Sequence, residues 1–242
     1  MTIESCKLNI QTNMADFNQF EERAGCTFNN KDLLKQAFIH RSYLNENRDE
    51  TLDHNERLEF LGDAVLELVV TSFLFNEYPD KPEGELTAYR SALVNTITLS
   101  KAATELNMND FLLLSKGEAK DTGRARQYIL ADTFEAFTGA LYLDQGYDAA
   151  QAFISRALFP FMQEVVEKRL WQDAKSHFQE KAQDLIGITP TYNTLREIGP
   201  DHDKRFVVGV FLGDELVAEG EGKSKQEAEQ EAAEKGLRVK SW

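Results

Sequence analysis

Two acids four residues apart, Glu59 and Asp63, and two more three apart, Asp132 and Glu135, stand in segments that are otherwise almost entirely apolar. On a helix of about 3.6 residues per turn, each pair falls on one face. Leu58, Leu61, Val65 and Leu68 occupy the far side of the first segment, and Asp132 and Glu135 stand amid Leu130, Phe134, Phe137 and Leu141. From Glu59 to Phe75 every ionisable side chain is acidic, and between Ile129 and Leu143 the only charges are Asp132 and Glu135. If the two segments face one another, four carboxylates converge, and without a counter-ion their repulsion destabilises the fold. Hard oxygen donors with no nearby Cys or His suit Mg²⁺ or Mn²⁺, which keep several waters and take phosphate oxygens as further ligands. That combination points to phosphoryl chemistry, in which the ion activates water, polarises the phosphate and shields the leaving oxygen. Zinc calls for Cys or His, and a di-iron oxidoreductase bundle for Glu-x-x-His, which neither segment contains. The competing reading makes these acids ordinary helix-surface residues whose apolar neighbours face a dimer or a second layer. It fits Glu67 best, while Glu56 suits the first turn of a helix, where the macrodipole favours an acid.

The elements that must position these acids read as helices. Apolar periodicity predicts them at 31–40, 58–75, 92–106, 129–143 and 149–168. Pro79, Pro82, Asp121-Thr122-Gly123 and Asp144-Gln145-Gly146 supply the breaks. After Trp171 the pattern changes. A helix at 174–186 precedes a strand near Pro190-Thr191-Tyr192, a strand at 205–211, a turn at Leu212-Gly213-Asp214-Glu215, a strand at 216–219 and an alanine-rich helix at 225–237. The expected fold is therefore multidomain: an all-α domain followed by a small α+β domain of order α-β-β-β-α. The expected boundaries are 1–15 for an N-terminal extension, 16–170 for the helical domain and 171–242 for the second.

With 242 residues, the chain has room for one large domain or for a medium domain plus a small one. No stretch approaches a membrane span, and residues 1–13 lack the basic start and apolar block of a secretory signal, so a cytoplasmic setting is expected. Cys6 and Cys26 fit reduced thiols. A net charge of −14 counts against a protein that coats polyanions through bulk positive potential. It leaves room for a local basic stripe, or for metal ions that bridge protein carboxylates to phosphates.

The run Glu56-Arg57-Leu58-Glu59-Phe60-Leu61-Gly62-Asp63-Ala64 resembles, at every position, the nine-residue signature of the ribonuclease III family. Ala37-Phe38-Ile39-His40-Arg41-Ser42-Tyr43, Glu83-Gly84-Glu85-Leu86-Thr87 with Arg90, and Ala131-Asp132-Thr133-Phe134-Glu135-Ala136 are similar to the family's other catalytic motifs, in the same order. The resemblance implies a homodimeric endoribonuclease that cuts double-stranded RNA with Mg²⁺, Mn²⁺ being able to substitute, and without an organic cofactor or membrane partner. It implies 5′-phosphate and 3′-hydroxyl products with short 3′ overhangs, and substrates among ribosomal and messenger precursors. By the same resemblance Glu59, Asp132 and Glu135 hold the metal, and Asp63 with Glu135 is essential to the chemistry. Glu56 and Glu83 are auxiliary, and Phe60 is an aromatic knob that enters a socket on the partner subunit; an ordinary core phenylalanine is the competing reading. His40 is expected to be structural.

The second domain resembles a double-stranded RNA-binding domain through Asp173-Ala174-Lys175-Ser176-His177-Phe178-Gln179-Glu180, Gln183, Gly199-Pro200-Asp201-His202 and Gly220-Glu221-Gly222-Lys223-Ser224-Lys225. Such domains read the shape of A-form RNA across two minor grooves and the phosphates between them. The resemblance implies that Ser176, Gln179, Glu180 and Gln183 meet one minor groove and His202 the next, while Lys223, Ser224 and Lys225 meet phosphates. One departure stands out: Gln226, Glu227 and Glu229 follow where the family often continues with another basic residue. Residues 227–234 read as a solvated helix face, and weak binding by the module alone is expected. The rival to the nuclease is a non-catalytic double-stranded RNA-binding regulator whose helical domain serves only to dimerise.

Overall fold

The structure, a computed structural model, describes residues 16–167, 173–200 and 204–242. The expected extension 1–15, with Cys6, and the loop residue His202 lie outside the described residues. The chain divides into two compact units, Met1–Lys168 and Arg169–Trp242.

The first unit is helical, and polar side chains set where its helices begin. In α1 (Phe17–Ala24) the Asp16 carboxylate accepts from the Asn18 amide at 3.1 Å, and in α2 (Lys31–Ala37) Asn30 accepts from Asp32 at 3.0 Å. His40 does the same for α3 (Arg41–Glu46), its Nδ1 accepting from the Ser42 amide at 3.3 Å and lying 2.8 Å from the Ser42 hydroxyl. The histidine is thus used as a cap. Burial also holds its pKa below the ordinary value, the largest of several opposing influences.

There follow α4 (Glu56–Glu77), α5 (Glu83–Leu93), α6 (Thr96–Glu105), α7 (Arg124–Gln145), α8 (Tyr147–Ala157) and α9 (Phe161–Glu167). Helix α7 is apolar on almost every side and runs through the centre, with Ile129, Leu130, Phe134, Phe137, Ala140 and Leu141 buried. Phe20, Phe38, Phe137 and Phe153 pack around it with ring centroids 4.8–6.3 Å apart, mostly edge-on. Its buried Thr133 and Thr138 hydroxyls donate back to Ile129 O and Phe134 O, at 2.7 and 2.9 Å, so neither hydroxyl is left unmet.

Several boundaries depart from the sequence reading: α1 and α3 have no counterpart among the expected helices, the helix expected at 31–40 ends at Ala37, α7 begins five residues early at Arg124, and three further differences have a clear cause. Residues 83–93 form a helix where Pro79, Pro82 and Gly84 suggested only a break. Pro82 stands before the first turn, where its missing N–H costs nothing, and Glu83 and Glu85 favour the turn electrostatically. The single helix expected at 92–106 is two, because Asn95 turns its side chain to accept from the Thr98 amide at 2.9 Å and starts α6 afresh. The one expected at 149–168 is interrupted at Leu158–Pro160, since Pro160 has no N–H to continue the ladder.

The second unit comprises α10 (Ala174–Ile186), the antiparallel meander β1 (Thr191–Ile198), β2 (Arg205–Leu212) and β3 (Glu215–Gly222), and α11 (Lys225–Lys240). Leu212 pairs with Glu215, so Gly213 and Asp214 are the hairpin loop, and Gly213 supplies the left-handed φ of 63° that the turn needs. Phe178 and Ala182 of α10, Val210, Leu212 and Val217 of the sheet, and Ala232 and Ala233 of α11 make the core. Gly220 and Gly222 let α11 lie on β3, since a Cβ on Gly220 would strike the Ala228 carbonyl. An all-α unit followed by α-β-β-β-α is thus the architecture expected from the sequence.

Candidate metal centre and nucleic-acid interface

The acids of α4 and α7 meet because the two helices cross backbone to backbone. A Cβ on Gly62 would strike the Glu135 carbonyl, and one on Gly139 would strike the Leu58 carbonyl. A side chain at either position would wedge the helices apart. The start of α4 is fixed separately by the buried Asn55, whose Nδ2 donates to Ala37 O at 3.1 Å and whose amide donates to Ile39 O at 2.9 Å. The Asn55 carbonyl accepts from the Glu59 amide at 2.9 Å, which sets the turn that carries the first acid.

Glu59, Asp132 and Glu135, all half-buried, each bring a carboxylate oxygen to within 4.8 Å of the others. No Lys, Arg or His among the described residues pairs with them, and the charges acting on Glu59 and Glu135 are all carboxylates. Burial, and then the charges of Asp63, Asp132 and Glu59, push Glu135 up to about 8. Burial and the neighbouring acids also raise Glu59, and burial alone raises Asp132. Three hard oxygen donors, partly desolvated and mutually repelling, fit a divalent cation that keeps water and phosphate oxygens in its remaining positions. Nitrogen or sulfur donors, which zinc would need, do not belong to the group.

The fourth acid stands apart from this triplet. Asp63 is exposed at the rim, close enough for its charge to act on Glu135 and Glu59 but not among the three. Glu56 is exposed and lies beside a cation instead, with Arg41 Nη1 at 3.6 Å, and the His54 ring nitrogen Nδ1 at 3.7 Å. Glu83 accepts from the Thr87 hydroxyl at 3.0 Å and helps line a cavity of about 450 Å³ with Thr71, Leu74, Phe75, Leu86 and Arg90. Phe60 is 81% exposed on its unit, which rules out the core reading of that side chain. The residues that sequence reasoning passed over are Gly62, Gly139 and Asn55. A glycine inside a long apolar helix is the signal that marked the first two, because only a close approach justifies it there.

In the second unit, Ser176, Gln179, Glu180 and Gln183 are exposed at helical spacing on one side of α10. Ser176 Oγ donates to the Asp173 carboxylate at 2.8 Å, and Gln183 Nε2 to the Thr189 hydroxyl at 3.2 Å. Lys223, Ser224 and Lys225 lie exposed where β3 gives way to α11. Ser224 caps that helix by accepting the Glu227 amide at 3.1 Å, which leaves its hydroxyl proton free to donate outward.

Residues 227–234 are not the plain solvated face expected of them. Glu227 accepts the Lys223 amide at 2.9 Å, Glu229 pairs with Lys175 at 2.6 Å, Glu231 takes the Glu221 amide and Lys235, and Glu234 faces Arg238 at 3.8 Å. Each acid therefore neutralises a cation or seals an amide. Arg196, Arg205 and Lys240 are likewise paired with Glu219, Glu221 and Glu215.

Known proteins match both units. Residues 30–162 fit the family model described as Ribonuclease-III-like, and residues 174–240 fit the double-stranded RNA binding motif. Ribonuclease 3 of Staphylococcus saprophyticus is 43% identical, across 99% of this chain and 98% of that protein, and Ribonuclease 3 of a Geobacillus species is 48% identical across 92% and 90%. The solved nuclease domain of ribonuclease III from Campylobacter jejuni, studied for flexibility in the region where that domain dimerises, matches with 38% identity and a TM-score of 0.55. It covers 60% of this chain and 99% of its own length. No helix among the described residues is long and apolar enough to cross a membrane. With both units matched in order and the relatives alike over nearly their whole lengths, the chain belongs to the ribonuclease III family.

Proposed function

We infer that this protein is a homodimeric endoribonuclease that cuts double-stranded RNA by metal-assisted phosphodiester hydrolysis. It leaves 5′-phosphate and 3′-hydroxyl ends and acts on ribosomal and messenger precursors in the cytoplasm. The observation that carries this reading is the triplet Glu59, Asp132 and Glu135, partly buried and without a cation of its own. These three would hold Mg²⁺, with Mn²⁺ able to substitute, through one oxygen each. The bound ion would supply Lewis-acid polarisation of the scissile phosphate and neutralise its developing charge. Asp63, exposed and close enough for its charge to act on Glu59 and Glu135, would orient the attacking water, and Glu135 would help hold the ion. Glu56 and Glu83 stay auxiliary, because neither belongs to the triplet.

The division of labour follows the two units: residues 16–170 cut, residues 171–242 bind, and residues 1–15 precede both. Ser176, Gln179, Glu180 and Gln183 meet a minor groove, His202 a second one, and Lys223, Ser224 and Lys225 the phosphates between them.

Dimerisation rests on the outer stripe of α4, where Phe60, Leu68 and Phe75 are exposed at helical spacing. An antiparallel pair of these helices with its two-fold axis at Leu68 carries Phe60, about 12 Å to one side, to the Phe75 end of the partner helix. The cavity beside Phe75, with Leu74 and Leu86 as its apolar wall, would be a socket for it. Phe60→Asp should therefore yield a monomer by sedimentation. The function itself is tested with duplex RNA, the full-length protein and Glu135→Gln, each with and without Mg²⁺. Cutting only by the unsubstituted protein, and only with the ion, is expected. Cleavage that survives the substitution would sink the mechanism, and binding without cutting in both proteins would favour the regulator.

A further inference from the structure

One stretch of the helical unit brings three cations close together in sequence with no acid among the described residues paired to any of them. The other described lysines of the unit are each tied to an acid, Lys31 to Glu21 at 2.5 Å, Lys35 to Glu50 at 2.7 Å, Lys81 to Glu85 at 2.7 Å and Lys101 to Glu164 at 2.6 Å, while Arg48 and Arg57 are exposed without a carboxylate partner among the described residues but lie away from this stretch in sequence. Lys116, Lys120 and Arg124 are exposed and have no carboxylate partner among the described residues. All three belong to the connection that leads into α7, where only Glu118 and Asp121 offset them. A fourth cation, Arg126, fastens this connection: Nη1 donates to Asn109 Oδ1 at 2.6 Å and Nη2 to Glu118 O at 2.8 Å. The unpaired charges are therefore carried by a segment with a fixed footing.

Helical spacing then ties this charge to the acid triplet. Arg124, Tyr128, Asp132 and Glu135 recur every three or four residues and share one face of α7. Arg124 lies over the Tyr128 ring, its guanidinium carbon 5.9 Å from the centroid, and Tyr128 is 46% exposed. Along the axis Arg124 stands about 12 Å from Asp132, close enough for its long side chain to reach a phosphate beside one held at the triplet. The ring limits the rotamers of the guanidinium in advance, so less freedom is lost when its planar fork takes two oxygens.

Resting on the nuclease reading above, we propose that Arg124, steadied by the Tyr128 ring, is a substrate-positioning residue that grips the backbone phosphate flanking the scissile one. Lys116 and Lys120 add a looser, salt-screened attraction to the same strand. The acids that gather the metal repel RNA, and a fixed cation on the same helix face offsets that repulsion at the point where the strand must be aligned.

The test is single-turnover cleavage of a duplex RNA by the full-length protein, with half-saturating enzyme concentration and maximal rate measured across a salt series. Arg124→Ala should raise the half-saturating concentration on the order of five- to tenfold, lower the slope of its logarithm against log salt by about 1, and leave the maximal rate within about twofold. Tyr128→Ala should reproduce part of the affinity loss and Tyr128→Phe should restore it, because the ring and not the hydroxyl supports the guanidinium. An unchanged affinity and salt slope in Arg124→Ala, with wild type cutting normally, would overturn this assignment alone. Equal losses in Tyr128→Phe and Tyr128→Ala would overturn the role of the ring. A wild-type protein that cuts no duplex RNA would overturn the function on which the proposal rests.

Discussion

The two units of the chain treat their acids in opposite ways. At the crossing of α4 and α7, Glu59, Asp132 and Glu135 gather with no cation among them, and burial with mutual repulsion drives Glu135 up to about 8. In the second unit Glu215, Glu219, Glu221 and Glu229 each lie 2.6–3.1 Å from a Lys or Arg nitrogen, and Lys181, Lys223 and Lys225 have no carboxylate partner among the described residues. Both units are acidic overall, yet the sign of the net charge describes neither site. Unpaired acids at one point call for a cation, and the two unpaired lysines that flank Ser224 call for an anion. The largest expected effect tests the first half of that contrast. Divalent ions should raise the melting temperature of the wild type, since an ion at a hundred times its Kd stabilises by about 2.7 kcal/mol, worth several degrees in a domain of this size. Glu135→Gln should lose most of that increment in calorimetry and lower cleavage on the order of a thousandfold, the several kcal/mol a bound ion contributes. An equal ion-induced rise in both proteins would show that the triplet is not where the metal acts.

The acids reach one another only because Gly62 and Gly139 let the backbones touch, and that is the next place to break the contrast. Gly62→Ala puts a methyl against the Glu135 carbonyl, a contact that cannot relax by a rotamer change. A loss of about 3 kcal/mol is expected from overpacking against a rigid neighbour, read as a lower urea midpoint, together with weaker stabilisation by Mg²⁺. The corresponding change on an open surface, Gly84→Ala, has nothing within 4 Å to strike and should stabilise or leave α5 unchanged.

These two glycines also mark the limit of what the sequence discloses. The acid pairs, the helical character of their segments and the α-β-β-β-α order of the second unit follow from spacing, because periodicity is local information. Which faces of α4 and α7 meet depends on a backbone approach between residues more than seventy positions apart, and neither glycine announces its counterpart. The exposure of Phe60 was equally undecidable from pattern, since a phenylalanine amid Leu58, Leu61 and Val65 suits a core or an interface alike. The breaks at Asn95 and Pro160 were missed for a different reason: apolar periodicity ran on through both, and only the cap at Asn95 and the missing N–H of Pro160 end the helix.

A smaller effect sharpens the other half of the comparison. If the Lys223 corner, where two unpaired lysines flank Ser224, is where the second unit meets phosphate, then one added or removed cation there should change RNA binding more than loss of an already paired one elsewhere on the unit. Lys225→Ala, whose ammonium lies 5.7 Å from the Phe206 ring centroid, should weaken binding of duplex RNA by about tenfold and reduce the salt slope by about 1. Gln226→Lys should strengthen binding by a similar factor. Arg238→Ala, which removes a cation already facing Glu234 at 3.8 Å, should alter binding by less than about twofold, as expected of an exposed pair. Equal effects of Lys225→Ala and Arg238→Ala in a filter-binding titration would mean that bulk charge, not its placement, governs the interface.

The smallest effect comes from an acid of the helical unit that does have a partner. Lys35 Nζ lies 2.7 Å from Glu50 Oε2, and this ion-paired hydrogen bond, with the Leu52 and Thr51 amides, holds the Glu50 carboxyl below its ordinary value despite partial burial. A folded-state pKa below the unfolded one means that the carboxylate stabilises the native state above the unfolded pKa, and that this contribution fades as pH falls through the folded value. Glu50→Gln should accordingly cost about 0.5 kcal/mol near neutrality, a modest figure because Lys35 is partly exposed and salt screens the pair. The difference between the variant and wild type should shrink as the pH is lowered past about 4, and it should shrink at neutral pH when salt is raised. Denaturant titrations at pH 7 and pH 3 check both trends. A difference that stays constant across this range would mean that Glu50 acts through shape rather than charge, and the contrast between partnered and unpartnered acids would then not extend beyond the triplet.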